Sequence, residues 1–370
     1  MKGILKVVIL LCLSVLWVLT AASCNVSTNV TTAPNLPNTD LTAPSETIPD
    51  ANAPQHRHTY GPWMTLQKAT LTEEGIKERT CPCGQSETQT LPALVSLGFD
   101  YEVNEDGRTC KIVGRGACTD KRLYFPMEID GYRVTAIGEK AFYYDYLLEG
   151  AVLPESIERL ETSAFHGCWF LSSVKLPETL ASIGEFAFAD CPHLQSVTLP
   201  QNLVRLGANA FQGCESLASI TVPGGVGKLN EGVFKLCTSL KTVRLGEGIS
   251  SIGNEAFNVC SSLTSITLPN TVKSIGDRAF ALCDHLTSIT LSENLKTIGK
   301  NAFSNCYSLT DITLPEGLVS IGELAFSECT SIPDMSIPKS VTTIGSNAFY
   351  GCSFVKEENG VYYVDTRVVG

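Results

Sequence analysis

Short runs of alternating apolar and polar residues recur along the chain, many of them closed by a proline. In SITLP, Ser265–Pro269, Ile266 and Leu268 alternate with polar residues. Alternation with a period of two is typical of a half-buried β-strand, and proline is largely excluded from strand interiors. The pattern therefore predicts a short strand that ends at Pro269.

The residues after this strand predict a corner and then helical turns. Val272 and Ile275 continue the apolar positions, and Gly276 permits a tight corner. Asp277 stands where a helix start favours an acidic residue. The next apolar residues have the spacing of one helical face: Ala279, Phe280, Cys283 and Leu286. We predict a strand, a turn, a bend and one or two helical turns.

This unit repeats at a fixed length. Ser265–Thr287 is followed at once by the nearly identical Ser288–Thr310. An aligned phenylalanine recurs every 23 residues through ten units: Phe142, Phe165, Phe188, Phe211, Phe234, Phe257, Phe280, Phe303, Phe326 and Phe349. A cysteine lies three residues after each of these except the first, where Asp145 takes its place. Because one coil cannot bury both of its apolar faces alone, the repeat predicts a solenoid of stacked coils.

The pattern CxxLxxIxLPxxLxxIGxxAFxx resembles the BspA-like leucine-rich repeat, a 23-residue class of bacterial surface and secreted proteins. The resemblance covers about residues 134–352. It implies a leucine-rich-repeat solenoid of the α/β class, with short strands plus short helical turns in each 23-residue coil. It also implies adhesion or the binding of host or matrix proteins, although fold alone does not determine function.

Both flanks of the repeat predict further strands. In residues 95–133, Asp106-Gly107 is a strong hairpin turn signal, which places Tyr101 opposite Ile112 and Val103 opposite Cys110. This hairpin cap and lead-in would cover the open end of the solenoid. Residues 353–370 predict a C-terminal strand or the start of a further, truncated unit.

The N-terminus predicts export and lipid anchoring. Residues 1–23 show basic, apolar and then small residues, the order of a secretory signal, and the apolar run is shorter than the roughly 20 residues of a membrane-spanning helix. Ala21-Ala22-Ser23-Cys24 resembles a bacterial lipobox, which implies acylation of Cys24 and an extracytoplasmic lipoprotein anchored at the bacterial cell surface. Residues 24–55, rich in Thr, Pro, Asn and Ala, predict a disordered tether.

Residues 56–94 predict a small, separate His/Cys module. His56 and His58 could supply two imidazoles, and Cys81 and Cys83 two thiolates, to a tetrahedral structural zinc. A module of this size usually needs a metal or disulfides, because its core is small. The alternative is that the thiols are unliganded or form a disulfide elsewhere. The segment also resembles a small module found beside repeat domains in secreted proteins of anaerobic bacteria.

Composition and charge exclude some functions. The net charge of −11 and the pI near 5.0 argue against nucleic-acid binding. No arrangement of nucleophile, acid and base interrupts the repeat, so we expect no enzyme activity, and no cofactor beyond the possible zinc. The nine repeated cysteines are interpreted as small buried thiols, since parallel side chains disfavour the disulfide dihedral and nine is odd.

Two sets of residues are candidates for ligand binding. Outward hydroxyls on the predicted strands form rows that include Thr198, Thr221, Thr267 and Thr290. These rows suit glycans or a long flat partner, and they equally suit a merely solvated strand. Aromatic residues concentrate near the first coils: Tyr143, Tyr144, Tyr146, Trp169 and Phe170. They predict either an interaction patch or packing beneath the hairpin cap.

The sequence therefore predicts a cell-surface binding protein that recognises a protein or glycan non-covalently through its solenoid. The alternatives are a glycan-processing accessory or enzyme-associated protein, and a passive surface spacer. Ligand identity and oligomeric state do not follow from the sequence.

We predict that Cys24 is the lipidated first residue of the mature protein. Mass spectrometry of the native N-terminal peptide should find Cys24 carrying acyl chains, since two or three such chains give firm attachment at about 0.8 kcal/mol per buried methylene. An unmodified Cys24, or cleavage at another position, would contradict the prediction.

Overall fold

The computed structural model describes residues 58–67, 75–91, 95–358, 361–364 and 367–368. The predicted signal sequence, Cys24, the tether and His56 lie outside the described residues. Within the described ranges, no helix has the length and apolar character needed to cross a membrane.

Most described strands form two columns that run along the solenoid, and most coils contribute one strand to each column. The first column contains Arg122–Tyr124, Gly150–Val152, Ser173–Lys175, Ser219–Val222, Thr242–Leu245, Ser265–Thr267, Ser288–Thr290 and Asp311–Ile312. The second contains Tyr132–Ile137, Arg159–Leu160, Ser182–Ile183, Arg205–Leu206, Ser251–Ile252, Ser274–Ile275, Thr297–Ile298, Ser320–Ile321 and Thr343–Ile344. Neighbouring repeat strands pair in parallel at a 23-residue offset, as Thr267 with Thr290 and Ile275 with Ile298. The predicted solenoid is therefore confirmed.

The third side of each coil consists of turns, not of the predicted helical turns. The residues two before and two after each aligned phenylalanine have positive φ, for example Glu255 (55°) and Val259 (62°) around Phe257. Alternate N–H groups then donate to the next coil, including Phe257 N to Ala279 O at 2.8 Å. The described ranges contain one helix, the short 3-10 helix Gly224–Val226.

Coil spacing explains why turns replace helices. Strands pair at about 4.8 Å, whereas an α-helix with its side chains is about 10 Å across. Helices in adjacent coils would need a wider spacing on this side than on the strand side, and their N–H groups would be used within each segment, whereas the observed turns keep the coils close. The left-handed residues cost roughly 1–2 kcal/mol each, and the coil-to-coil hydrogen bonds that they allow offset this cost.

The aligned phenylalanines form the centre of the core. All ten side chains are buried, and adjacent ring centroids lie 5.2–5.8 Å apart with the rings nearly parallel. Spacing in this range is typical of favourable offset stacking. One phenylalanine from each coil thus contributes to a continuous aromatic stack along the solenoid.

The repeated cysteines have a defined bonding role. Each thiol donates to the carbonyl oxygen of the aligned phenylalanine in the preceding coil, as Cys260 Sγ to Phe234 O at 3.1 Å and Cys283 Sγ to Phe257 O at 3.2 Å. The thirteen cysteines in the described ranges are free thiols. Burial raises the pKa of Cys283 to about 12. A small side chain that packs as an apolar group and still donates a hydrogen bond fits this position.

The N-terminal hairpin covers the first coil. Asp100–Val103 and Thr109–Gly114 pair with Tyr101 opposite Ile112 and Val103 opposite Cys110, as predicted. Thr109–Gly114 then pairs in parallel with Tyr132–Ile137, and the two-residue strand Glu128–Ile129 pairs antiparallel with that same strand. Cys110 and Ile112 are fully buried, whereas Val103 is 44% exposed, so the second strand of the hairpin supplies the covering face.

An ion pair joins this cap to the first coil. Arg115 Nε and Nη2 lie 2.7 and 2.6 Å from Asp145 Oδ2, and both side chains are largely buried. Asp145 stands where later coils carry the cysteine. The coil that carries Asp145 in place of the repeated cysteine is therefore the coil that follows the cap.

Both strand columns are interrupted at one level, between the coil of Phe211 and the coil of Phe234; we call this level the seam. Within residues 95–358, Arg205–Leu206 pairs backward with Ser182–Ile183 and has no strand partner ahead of it. Ser219–Val222 pairs only with the following strand, Thr242–Leu245.

Other bonds cross the seam. The turn side is continuous, because Phe211 N donates to Val233 O at 2.9 Å. The side-chain amide of Asn230, at a position that is glycine in most coils, donates to Leu206 O at 2.6 Å. Immediately beyond, Gly224 lies so close to the Glu247 carbonyl that a Cβ has no space.

Three short antiparallel strands end the described chain: Lys356–Glu358, Val361–Val364 and Arg367–Val368. A separate three-stranded antiparallel sheet near the N-terminus contains Met64–Gln67, Gly75–Thr80 and Ser86–Leu91.

We expect Cys260→Ala to lower the free energy of unfolding by on the order of 1 kcal/mol, because it removes a small buried donor from the stack. Denaturant unfolding measures this, with the exposed Thr267→Ala as a control that should change stability by less than about 0.5 kcal/mol. Thiol counting after denaturation without reductant should find most of the repeated cysteines free. Complete oxidation of these thiols would contradict the prediction.

Stability should also fall at alkaline pH. The folded Cys283 thiol has a pKa of about 12, whereas the pKa of an unfolded thiol is about 8.5. Between these values the folded state binds more protons, so the free energy of unfolding decreases as pH rises, by up to about 1.4 kcal/mol per pH unit for each such thiol. Cys283→Ala should be less stable at neutral pH and show a shallower alkaline decline than Thr267→Ala. Equal slopes would contradict this assignment.

Candidate functional site

The predicted threonines Thr198, Thr221, Thr267 and Thr290 are all exposed. Thr221, Thr267 and Thr290 lie in strands of the first column, whereas Thr198 lies outside the named strands, before the seam. Thr267 and Thr290 are paired side by side at the 23-residue offset. This face therefore presents neighbouring hydroxyl groups on the strands beyond the seam.

Basic residues interrupt or flank this face at Lys175, Lys241 and Arg244, and they were missed by sequence reasoning. Arg244 occupies the threonine position of its coil, and Lys241 precedes the same strand. With Thr242, Ser265 and Thr267 they line an open cavity of about 380 Å³. The replacement of a repeated threonine by arginine was the available signal.

Aromatic side chains of the first three coils form a second surface. We define the aromatic patch as Tyr143, Tyr144, Tyr146, His166, Trp169, Phe170 and His193. Its tyrosines, tryptophan and phenylalanine are 43–57% exposed. The expectation that these residues pack beneath the hairpin cap is therefore wrong.

Ring contacts order the patch. Tyr143 stacks on His166 at 5.0 Å between centroids and meets Tyr144 edge-on at 4.5 Å. His193 stacks on Phe170 at 6.1 Å, and its Nδ1 donates to the Trp169 carbonyl oxygen at 2.8 Å. These contacts restrict the rings while leaving much of their surface exposed to solvent.

The turn conformation explains why the rings point outward. Tyr144 has a φ of 53°, the left-handed position two residues after an aligned phenylalanine. Gly167 occupies the equivalent position of the next coil, and a Cβ there would collide with the Tyr144 ring. The absence of a side chain at Gly167 thus makes room for Tyr144 on the surface.

The predicted zinc ligands fall partly within the described residues. His58, Cys81 and Cys83 come together, with their donor atoms all within 4.8 Å of one another. His58 Nδ1 lies 3.3 Å from Cys83 Sγ. His56 lies outside the described residues, so its role stays a prediction.

A tight hairpin loop positions the two cysteines. The loop Cys81–Gln85 joins strands Gly75–Thr80 and Ser86–Leu91, and Gly84 N donates to Cys81 O at 2.8 Å across the Pro82-Cys83 turn. Gly84 has a φ of 90°, which favours glycine. Gly61 N donates to Thr80 O at 3.1 Å, which brings the segment containing His58 to the same loop.

Two solenoid histidines are held by backbone contacts. His285 Nδ1 donates to Ser261 O at 2.7 Å, as His193 does to Trp169 O. This bonding between adjacent coils is structural, and it needs no nucleophilic partner.

Similarity to known proteins agrees with this architecture. The family model for the BspA type leucine rich repeat region matches residues 135–263 and 250–359, with six copies. A leucine-rich repeat protein from Bacteroides ovatus is 23% identical with a TM-score of 0.51, covering 70% of this chain and 92% of its own. A leucine rich cell surface protein from Faecalibacterium prausnitzii is 24% identical with a TM-score of 0.43, covering 69% and 85%. No curated protein matches the chain.

At this level of identity the solved structures show the fold alone, and the family assignment rests on the repeat model. Its matched residues cover more than half of the chain and include every aligned phenylalanine. This protein belongs to the BspA type leucine-rich repeat family.

Proposed function

We propose that this protein is a binding protein of the bacterial cell surface, which recognises a protein or glycan ligand non-covalently through its solenoid. The observation that carries the proposal is the aromatic patch. Its large rings are half exposed although the solenoid core is complete without them. Contiguous exposed apolar surface of this kind marks an interaction site more often than chance exposure does.

The patch has the properties of an energetically important contact surface. Tyr and Trp are enriched among the residues whose truncation costs binding most. Stacking and edge contacts within the patch already restrict its rings, so binding loses less side-chain entropy than it would with mobile side chains. The ring faces suit the C–H faces of sugar rings as well as apolar side chains of a protein.

The strand face supports a secondary, polar contact. Hydroxyls of Thr198, Thr221, Thr267 and Thr290 can both donate and accept hydrogen bonds. The cavity beside Arg244 and Lys241 would suit a carboxylate or sulfate group on the same ligand. We assign these residues a supporting role, because hydroxyl rows also occur on strands that only contact water.

Surface location and lack of catalysis complete the proposal. The lipobox-like sequence around Cys24 supports anchoring, and the unbroken 23-residue spacing through ten coils supports a scaffold without a catalytic insertion. A glycan-processing accessory and a passive spacer remain the competing functions, and the experiment below separates them.

Removing the patch should abolish ligand binding. We expect the variant carrying Tyr146→Ala, Trp169→Ala and Phe170→Ala to bind at least about 100-fold more weakly, because aromatic hot spots each contribute about 2 kcal/mol or more. Tyr307→Ala is the matched control, since Tyr307 occupies the same repeat position as Tyr146 and Trp169 and is 46% exposed. A glycan array and a pull-down with the purified mature chain identify the ligand, and titration measures its affinity.

Three results would contradict the proposal. Equal affinity of the triple variant and the Tyr307→Ala control would show that the patch does not bind the ligand. The absence of any ligand in both screens would favour the spacer, and turnover of a bound glycan would favour an enzymatic role.

A further inference from the structure

The small N-terminal sheet lacks a hydrophobic core in its described residues. Of the side chains described in residues 58–66 and 76–89, only Cys81 is buried, at 3% exposure. Met64 and Leu66 are 67% and 61% exposed, and Ile76 is only half-buried. Three short strands without a packed face are not independently stable in water.

Polar and cation–π contacts hold part of this sheet together. Arg79 lies over the rings of Tyr60 and Trp63 at 4.8 and 4.7 Å, and Lys77 lies over Trp63 at 4.9 Å. At exposed sites such contacts contribute only about 0.5–1 kcal/mol each. They do not compensate for the missing core, so the module needs another source of stability.

The one buried side chain among the described residues of the module belongs to its cluster of candidate metal-binding donors. His58, Cys81 and Cys83 converge although 23 residues separate His58 from Cys81 in the sequence. In a tetrahedral zinc site, with Zn–S near 2.3 Å and Zn–N near 2.0–2.1 Å, adjacent donor atoms lie about 3.5–3.8 Å apart. The 3.3 Å between His58 Nδ1 and Cys83 Sγ is close to that separation.

We propose that His58, Cys81 and Cys83 bind one structural Zn²⁺, which closes the hairpin loop onto the segment that precedes the sheet. Two thiolates and an imidazole form a soft donor set that favours zinc over magnesium or calcium. Binding displaces the thiol protons of Cys81 and Cys83, and neutral His58 donates a ring nitrogen lone pair. A closed structural site has four ligands, of which these three residues supply three.

This site is structural and independent of the aromatic patch. One bound zinc ion would join two parts of the module. These are the loop between the last two strands and the segment that enters the first strand. Metal binding therefore supplies folding free energy to a segment that has little other source of it.

Elemental analysis of the purified full chain should find one zinc per molecule. The Cys81→Ser, Cys83→Ser double variant should lose at least about 100-fold in zinc affinity, because residues that bind the metal directly contribute more than groups hydrogen-bonded to them, whose loss costs about 10–100-fold. Cys118→Ser, which alters a buried free thiol of the cap, is the control and should retain one zinc.

Two further measurements keep the proposal testable if the double variant misfolds. Cobalt(II) added to the metal-free chain should give thiolate-to-metal absorption, and His58→Ala should weaken or shift it. Chelation should make residues 58–91 sensitive to protease while the melting transition of the solenoid stays in place. The proposal is overturned by well under one zinc per chain, by a disulfide between Cys81 and Cys83, or by unchanged protease resistance after chelation.

Discussion

The structure depends on one constraint: backbone groups of each coil must meet those of the next at a 23-residue offset. Strand pairs on two sides and turn hydrogen bonds on the third all satisfy it, as in Ile275 with Ile298 and Phe257 N with Ala279 O. An inserted residue would displace every bond on all three sides at that level. The invariant repeat length is therefore a requirement of hydrogen bonding as much as of core packing.

The same constraint determines which side chains each position accepts. Phenylalanine rings stack because the coil spacing places their centroids 5.2–5.8 Å apart, which suits offset stacking. Cysteine fits three residues later because its thiol reaches the carbonyl oxygen of the preceding coil, for example Cys260 to Phe234 O. Left-handed backbone at Glu255 and Val259 aims alternate N–H groups along the solenoid. Core composition and backbone conformation thus share a single cause.

The sequence predicts the solenoid well, because a period repeated ten times leaves little ambiguity. It does not predict the turns, since Ala279, Phe280, Cys283 and Leu286 have the same spacing in a helix as in the observed turn. The turns are selected by close coil-to-coil hydrogen bonding on this side, and that bonding is a property of the assembled stack. The pairing of Arg115 with Asp145 was also missed, although the lone exception at Asp145 was a visible signal.

Candidate sites were predicted with uneven success for physical reasons. The described donors His58, Cys81 and Cys83 converge, because the bond from Gly61 N to Thr80 O brings the segment of His58 to the loop that holds both cysteines. Exposure of the aromatic patch depends on Tyr144 having left-handed backbone and on Gly167 beside it, which composition alone does not reveal. The cavity beside Arg244 is lined by its own strand and by the next strand, so it could be recognised only once the pairing of these strands was known.

The seam divides the cooperativity of the solenoid. In a stacked array each coil is stabilised mainly by its nearest neighbours, so stability propagates through the interfaces between coils. Between the coils of Phe211 and Phe234 the named strands do not pair, and the coupling consists of the turn-side hydrogen bonds, the bond from Ala218 N to Gln195 O, the Asn230 amide and the stacked phenylalanines. This interface therefore has fewer backbone hydrogen bonds between strands than the interfaces beside it. We expect the array to open more readily there, which would separate a block that includes the cap and the aromatic patch from a block that includes the later coils.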